Sequence, residues 1–157
     1  MAGSIKTTGL KELEDKLGKL GAAAPKIASA ALYEGAGIVA NAYSEAVDSI
    51  VTGVRRSHNE PGGRLPTPEE KAALKSGIAR FNKEGSEVNT LVGIAEGYAD
   101  VRGHKKAIKL LARSINSGTS FMQRQPVFRK AATKSRKAAT EAMVRKADEV
   151  IEEIMLH

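Results

Sequence analysis

The sequence predicts an α+β fold, in which N-terminal helices and a long C-terminal helix pack on a small antiparallel β-sheet. Apolar residues recur with helical spacing near both ends of the 157-residue chain, and two short β-rich segments lie between them. This length fits one domain, so we expect residues 1–157 to form a single unit. Aromatic residues make up only 4% of the chain, so the core must rest on Leu, Ile, Val and Ala.

The N-terminal part of the chain predicts two helices. The first has Thr8 or Gly9 as its cap and a single apolar stripe consisting of Leu10, Leu13, Leu17 and Leu20. Pro25 then interrupts this helix or opens the second, which should extend to about Ile50. The second helix is rich in Ala and Gly, which permits close approach to another helix, a sheet or a neighbouring subunit. Packing within the chain is the simplest of these interpretations.

The next segment predicts a loop and then a short helix. Residues 51–66 are polar and rich in Pro and Gly, and we interpret them as an inserted loop that orders on contact with a neighbouring subunit. Thr67 should cap the following helix, with Pro68 at its first position and Glu70 closing a capping box. This helix should end near Lys75.

The middle of the chain predicts a β-hairpin. Its strands are expected at residues 78–81 and 88–95, joined by a turn at 83–86. Residues 97–103 are predicted to form a loop. Residues 105–115 suit a helix, with a strand over their second half as the alternative.

The last helix is predicted to open at Pro126 and to run to about Met155, after a turn at residues 116–119. Its first half is basic and its end is acidic, which opposes the helix dipole at both ends. Local helix stability does not explain this arrangement, whereas contact of the basic half with a partner would.

Positive charge is concentrated in one part of the chain. The net charge is +7, yet residues 101–140 contain no Asp or Glu, so the rest of the chain is net negative. Such asymmetry favours an acidic partner, either nucleic acid or an acidic protein surface, although a solvated basic face is the plainer alternative. We call the Lys and Arg residues of this stretch the basic band: Arg102, Lys105, Lys106, Lys109, Arg113, Arg124, Arg129, Lys130, Lys134, Arg136 and Lys137.

Motifs that carry catalytic chemistry are missing from the sequence. There is no Cys, which excludes disulfides, thiolate metal sites and Cys nucleophiles. His58, His104 and His157 lack the spacing of metal ligands, and neither a nucleophile elbow nor a phosphate-binding loop is present. We therefore expect a protein that is not an enzyme, with no cofactor and no metal, that is made in the cytoplasm without a signal peptide or membrane span.

The order of these elements resembles the gp-ten-like tail-completion family of long-tailed bacteriophages, whose members are neck or minor tail proteins. The Ala31–Ala36 stretch is similar to the family's second helix, and Gly118–Ala131 is the most specific part of the resemblance. The remaining matching residues are Ile5, Gly9, Leu10, Leu13 and Leu17 at the start, and Ile115, Gly118, Thr119, Ser120, Met122, Gln125, Pro126, Phe128, Arg129 and Ala131 near the end.

This resemblance implies a structural virion protein that forms a ring at the head–tail junction and completes or joins the tail. The ring is expected to be a hexamer, with a dodecamer as the alternative, and its partners are other neck, tail terminator or tail-tube proteins, with contact to packaged DNA a further expectation. Gly118 and Thr119 would set the turn that places the last helix, and Pro126, Phe128 and Arg129 would lie at its start. The alternative function is nonspecific DNA binding by a small basic protein through residues 101–140.

Overall fold

A computed structural model describes residues 10–53, 63–83 and 89–156 of the chain. In these residues it has four helices and two small antiparallel sheets, so the predicted α+β class is confirmed. The predicted cap at Thr8 or Gly9, most of the predicted loop, and most of the first hairpin turn lie outside the described residues. The elements are α1 (Leu10–Asp48), α2 (Pro68–Ser76), β1 (Ile78–Lys83), β2 (Asn89–Ile94), β3 (Tyr98–Val101), β4 (His104–Ala107), α3 (Ile108–Ser117) and α4 (Val127–Leu156).

The N-terminal segment forms one helix rather than the predicted two. Helix α1 spans 39 residues and continues through Pro25. A proline in a helix interior costs about 3 kcal/mol, because it removes one hydrogen bond and crowds the preceding turn. Helix α1 packs along the length of α4, and we attribute the continuity of the helix to this packing.

Helices α1 and α4 form an antiparallel pair whose contact surface is rich in small residues. Gly35 lies so close to α4 that a Cβ atom there would collide with the Met143 side chain. The Ala- and Gly-rich surface of α1 therefore packs within the chain. The small residues buried in the two helices are Ala31 and Ala36 in α1, and Ala131, Ser135, Ala139 and Ala142 in α4.

The predicted first hairpin is confirmed. Strands β1 and β2 pair antiparallel, with Ile78 opposite Ile94. Both strands contact α1, which covers the hairpin as a two-stranded sheet in water requires.

A second hairpin replaces the loop that we predicted at residues 97–103. Strands β3 and β4 pair antiparallel around a turn in which Arg102 and Gly103 both have positive φ angles, 55° and 76°. Such turns usually carry Asn or Asp before the Gly. Arg102 stands at that position here, so the sequence lacked the usual hairpin pattern. Asp100 supports the turn, because its carboxylate accepts a 2.7 Å hydrogen bond from the Gly103 N–H.

Residues 105–115, for which the sequence suited a helix with a strand as the alternative, begin in a strand and continue as a helix. Residues 104–107 form β4, and α3 follows directly, so the predicted helix is confirmed for the second half and the alternative strand there was wrong. Helix α3 is strongly amphipathic and buries Ile108, Leu111 and Ile115.

The main core lies where the end of α1 meets α2, the second hairpin and α3. Its buried residues are Val47, Ile50, Ala73, Leu74, Val101, Ile108, Leu111, Ala112, Ile115 and Met122. Helix α1 has 39 residues and α4 has 30, and the far end of α1 lies away from this core. Two leucines of the predicted stripe are exposed there, Leu13 at 52% and Leu17 at 59%.

Candidate interaction surfaces

The corner between α3 and α4 starts at Gly118. This residue ends α3 with φ of 76° and ψ of 166°, a conformation that is essentially restricted to glycine. A Cβ atom at Gly118 would also lie 2.9 Å from Cβ of Arg124. Thr119 and Met122 then exchange backbone hydrogen bonds of 3.0 and 3.3 Å, which closes a tight turn. Gly118 and Thr119 therefore set the direction in which the chain enters α4.

Gln125 ties this corner to the end of α1. Its side-chain amide donates to the Val51 carbonyl and its amide oxygen accepts from the Val51 N–H, both at 2.9 Å. The Gln125 backbone N–H donates to the Ile115 carbonyl at 2.8 Å. One residue thus joins α3, the start of α4 and the chain that leaves α1.

Both ends of the predicted 51–66 loop meet at the same corner. The Gly53 N–H donates to the Pro66 carbonyl at 3.0 Å, which closes the base of the loop. The Arg64 N–H donates to the Phe121 carbonyl at 2.9 Å, and the Gln123 N–H donates to the Arg64 carbonyl at 3.0 Å. No local pattern in the sequence indicates this closure, because these pairs are far apart along the chain.

The start of α4 packs on α1. Phe128 contacts Tyr43 edge to face, with ring centroids 5.2 Å apart, and also packs against the main core. Pro126 immediately precedes the helix, as predicted. Pro126 and Val127 also line an open groove of about 900 Å³ between α1 and α4, with Ile38 among the α1 residues on its other side.

Glu70 is the centre of a buried ion cluster. Its side chain is 1% exposed. Arg64 donates to both carboxylate oxygens at 2.7 Å, Lys106 donates to one of them at 2.5 Å, and the Thr67 N–H donates at 3.0 Å. Burial alone would raise the pKa of Glu70, but the hydrogen bonds from Arg64, Lys106 and Thr67 outweigh it and lower the pKa to about 2.

The capping-box prediction for this residue is confirmed, since Thr67 and Glu70 form the reciprocal pair that begins α2. Sequence analysis missed Arg64 and Lys106 as further partners of Glu70. The Lys106–Glu70 contact joins residues 36 positions apart, so no local pattern could have indicated it.

The structure divides the basic band between several elements. Near the second hairpin and α3, its cations have acidic partners: Arg102 with Glu69 at 3.5 Å, Lys106 with Glu70, and Lys109 with Glu96 at 3.3 Å. Lys105 and Arg113 are exposed on β4 and α3, and Arg124 is exposed in the corner. The remaining cations are exposed on α4: Arg129, Lys130, Lys134, Arg136 and Lys137.

A small cleft of about 290 Å³ next to Glu70 contains the residues nearest to a catalytic arrangement. Arg102, His104 and Lys106 line it together with Glu70. Each Glu70 oxygen already accepts two hydrogen bonds, and a carboxyl group with a pKa of about 2 is a poor general base. This cluster is suited to holding three segments of the chain together.

Neither metal-site geometry nor a membrane-spanning helix is found in the described part of the chain. No group of three or more His, Asp or Glu residues is placed there to hold a metal ion, and no helix there is both long and apolar enough to cross a bilayer. In comparisons with known proteins, no family model, no curated protein and no solved structure matches the chain.

Proposed function

We propose that this chain is a structural protein of the neck or tail top of a long-tailed bacteriophage, where it forms a ring at the head–tail junction and completes or joins the tail. The observation that supports this most is the position of the resembling segment, Gly118–Ala131. These residues build the corner on which α3, α4, the end of α1 and the base of the 51–66 loop converge. Within this segment, Gly118 has a backbone conformation restricted to glycine, and the Gln125 side chain binds the backbone of Val51.

A closed ring needs two different surfaces on each subunit that fit each other head to tail. Exposed apolar side chains lie at opposite ends of the α1–α4 pair. Leu13 and Leu17 lie at the far end of α1, whereas Phe121 is 48% exposed at the corner before α4. In the proposed ring, of six subunits or alternatively twelve, the far end of one helix pair contacts the corner end of the next subunit.

The 51–66 loop supplies a further surface for assembly. Its base is fixed by the Gly53–Pro66 hydrogen bond and by the contacts of Arg64 with Phe121 and Gln123. A loop held at such a base is suited to reach a neighbouring subunit, a tail terminator or a tail-tube protein. This supports the interpretation of the loop as an assembly arm.

In this proposal the chain is not an enzyme and needs no cofactor. The described ionisable groups closest to a catalytic arrangement are Glu70 and its neighbours, and these are engaged in structural ion pairs. Turnover of a substrate by the purified protein would contradict this part of the proposal.

Analysis of particles tests the proposed location. The chain would carry a short tag in the phage that encodes it, and gold-labelled particles would be imaged by electron microscopy. We expect label only at the head–tail junction, and deletion of the gene should leave heads and tails that fail to join. Complementation with the wild-type gene is the control. Particles that lack the chain, or that carry it on the capsid or at the tail tip, would refute the proposal.

A further inference from the structure

We propose that one exposed face of α4 binds the phosphate backbone of double-stranded DNA without sequence preference. This proposal concerns a binding surface of the isolated protein, so it holds or fails independently of where the chain lies in a particle. We call this surface the α4 basic face and define it as Arg129, Lys130, Lys134, Arg136 and Lys137.

Helical geometry places these five cations on the solvent side of α4. The buried residues Ala131, Ser135 and Ala139 mark the opposite side, which packs on α1. With a rise of 1.5 Å per residue, the face from Arg129 to Lys137 is about 12 Å long. Five positive charges therefore lie within a little more than two helical turns, a length that spans several phosphates of a DNA strand.

The charge of this face is hardly neutralised by the described part of the chain. Its one acidic contact there joins Lys137 to Glu141 at 3.9 Å, and both side chains are largely exposed. The cations of the basic band near α2 differ, because Arg102, Lys106 and Lys109 each contact a glutamate. Of the original band, the α4 part is therefore the one that presents a dense positive surface.

This arrangement is unfavourable for the isolated helix. Arg129 and Lys130 lie in its first turn, where the helix dipole disfavours positive charge. Lys134 also lies four residues after Lys130 and three before Lys137, so neighbouring side chains repel each other. A polyanion across this face relieves both effects.

The composition of the face favours nucleic acid over an acidic protein. Between Arg129 and Thr140, the exposed polar side chains of this face are Arg, Lys and Thr, which are donors typical of phosphate contacts. Protein interfaces usually have an apolar centre with aromatic anchors. The first large exposed apolar side chain farther along α4 is Val144, about two turns beyond Lys137.

Fluorescence anisotropy with short labelled duplexes of two unrelated sequences tests this proposal. If all five cations contact phosphates, affinity should fall about 500-fold between about 50 and 200 mM salt, and equally for both sequences. In the triple variant Arg129→Gln, Lys134→Gln, Arg136→Gln, binding should be weaker and this fall should shrink to about tenfold, because two phosphate contacts remain.

The matched control removes the same charge from α1, through Lys11→Gln, Lys16→Gln and Lys26→Gln. We expect the control to keep the salt dependence of the wild type, and circular dichroism should show both variants folded. Three results would overturn the proposal. They are no binding by the wild type at low salt, an equal loss of affinity in both triple variants, and binding to poly-glutamate as tight as to DNA.

Discussion

Replacing Glu70 with Gln removes one negative charge from the buried ion cluster and keeps the size of the side chain. The substitution leaves Arg64 and Lys106 without their carboxylate partner. Arg64 is only 10% exposed, and Lys106 is 33% exposed. Water can therefore replace the lost contact at Lys106 more readily than at Arg64.

The expected loss of stability follows both from the buried ion pair and from the lowered pKa of Glu70. Removing one partner of a buried ion pair typically costs about 3–5 kcal/mol, because an uncompensated charge stays buried. The pKa of Glu70 falls from 4.5 to about 2 in the folded protein, which corresponds to on the order of 3 kcal/mol of stability at neutral pH. We therefore expect Glu70→Gln to lower the free energy of unfolding by about 3 kcal/mol at pH 7.

The stability that Glu70 contributes depends on pH, in a direction set by its lowered pKa. Folding lowers the pKa of Glu70, so the charged carboxylate stabilises the fold, and this benefit is complete above about pH 4.5. It is lost as the pH falls from about 4.5 towards 2, where the folded form also takes up the proton. Near pH 3 the difference between wild type and Glu70→Gln should be about 1 kcal/mol.

Urea denaturation of both proteins at pH 7 and pH 3 measures these differences. The control is Glu69→Gln, which removes the neighbouring carboxylate, 47% exposed and 3.5 Å from Arg102. The control should lose much less stability than Glu70→Gln at pH 7, because the Glu69 carboxylate is half exposed and its contact with Arg102 is open to solvent. If Glu70→Gln behaved like Glu69→Gln, or if its effect did not change with pH, the assigned role of the cluster would be wrong.

Two further predictions concern positions where glycine is required. Gly118→Ala should lower the free energy of unfolding by about 1–3 kcal/mol, because Ala rarely adopts this backbone conformation. An unchanged urea midpoint would contradict this prediction, since it would show that the backbone of the corner relaxes without strain. Gly35→Val should also lower the free energy of unfolding by about 1–3 kcal/mol, because the new Val side chain collides with Met143. Adding Met143→Ala to this variant should recover part of the lost free energy of unfolding. If a double-mutant cycle showed that the effects of the two substitutions simply add, the proposed contact would be contradicted.

Several elements could be predicted from the sequence because short-range chemistry determines them. Thr67 and Glu70 lie three residues apart and form the capping box that begins α2. The first hairpin and the start of α4 after Pro126 followed in the same way from strand composition and from the preference of proline for helix starts. At the candidate site, local sequence also indicated the turn at Gly118.

Other features depend on contacts between distant segments. Helix α1 continues through Pro25, and α4 packs along this helix. The residues around Pro25 in the sequence do not indicate that contact. The charges of the basic band appeared uniform along the chain, yet α2 neutralises Lys106 through Glu70 while α4 leaves Lys134 exposed.

By itself, the sequence determined the α+β class, the capping box at Thr67 and Glu70, the turn at Gly118 and the unequal distribution of charge, because these depend on residues a few positions apart or on composition. Only the tertiary structure decided that Arg64 and Lys106 meet at Glu70, and that the exposed charge of the basic band is densest on α4. Ion pairing depends on distances in space, and those distances exist only once the helices and hairpins have packed.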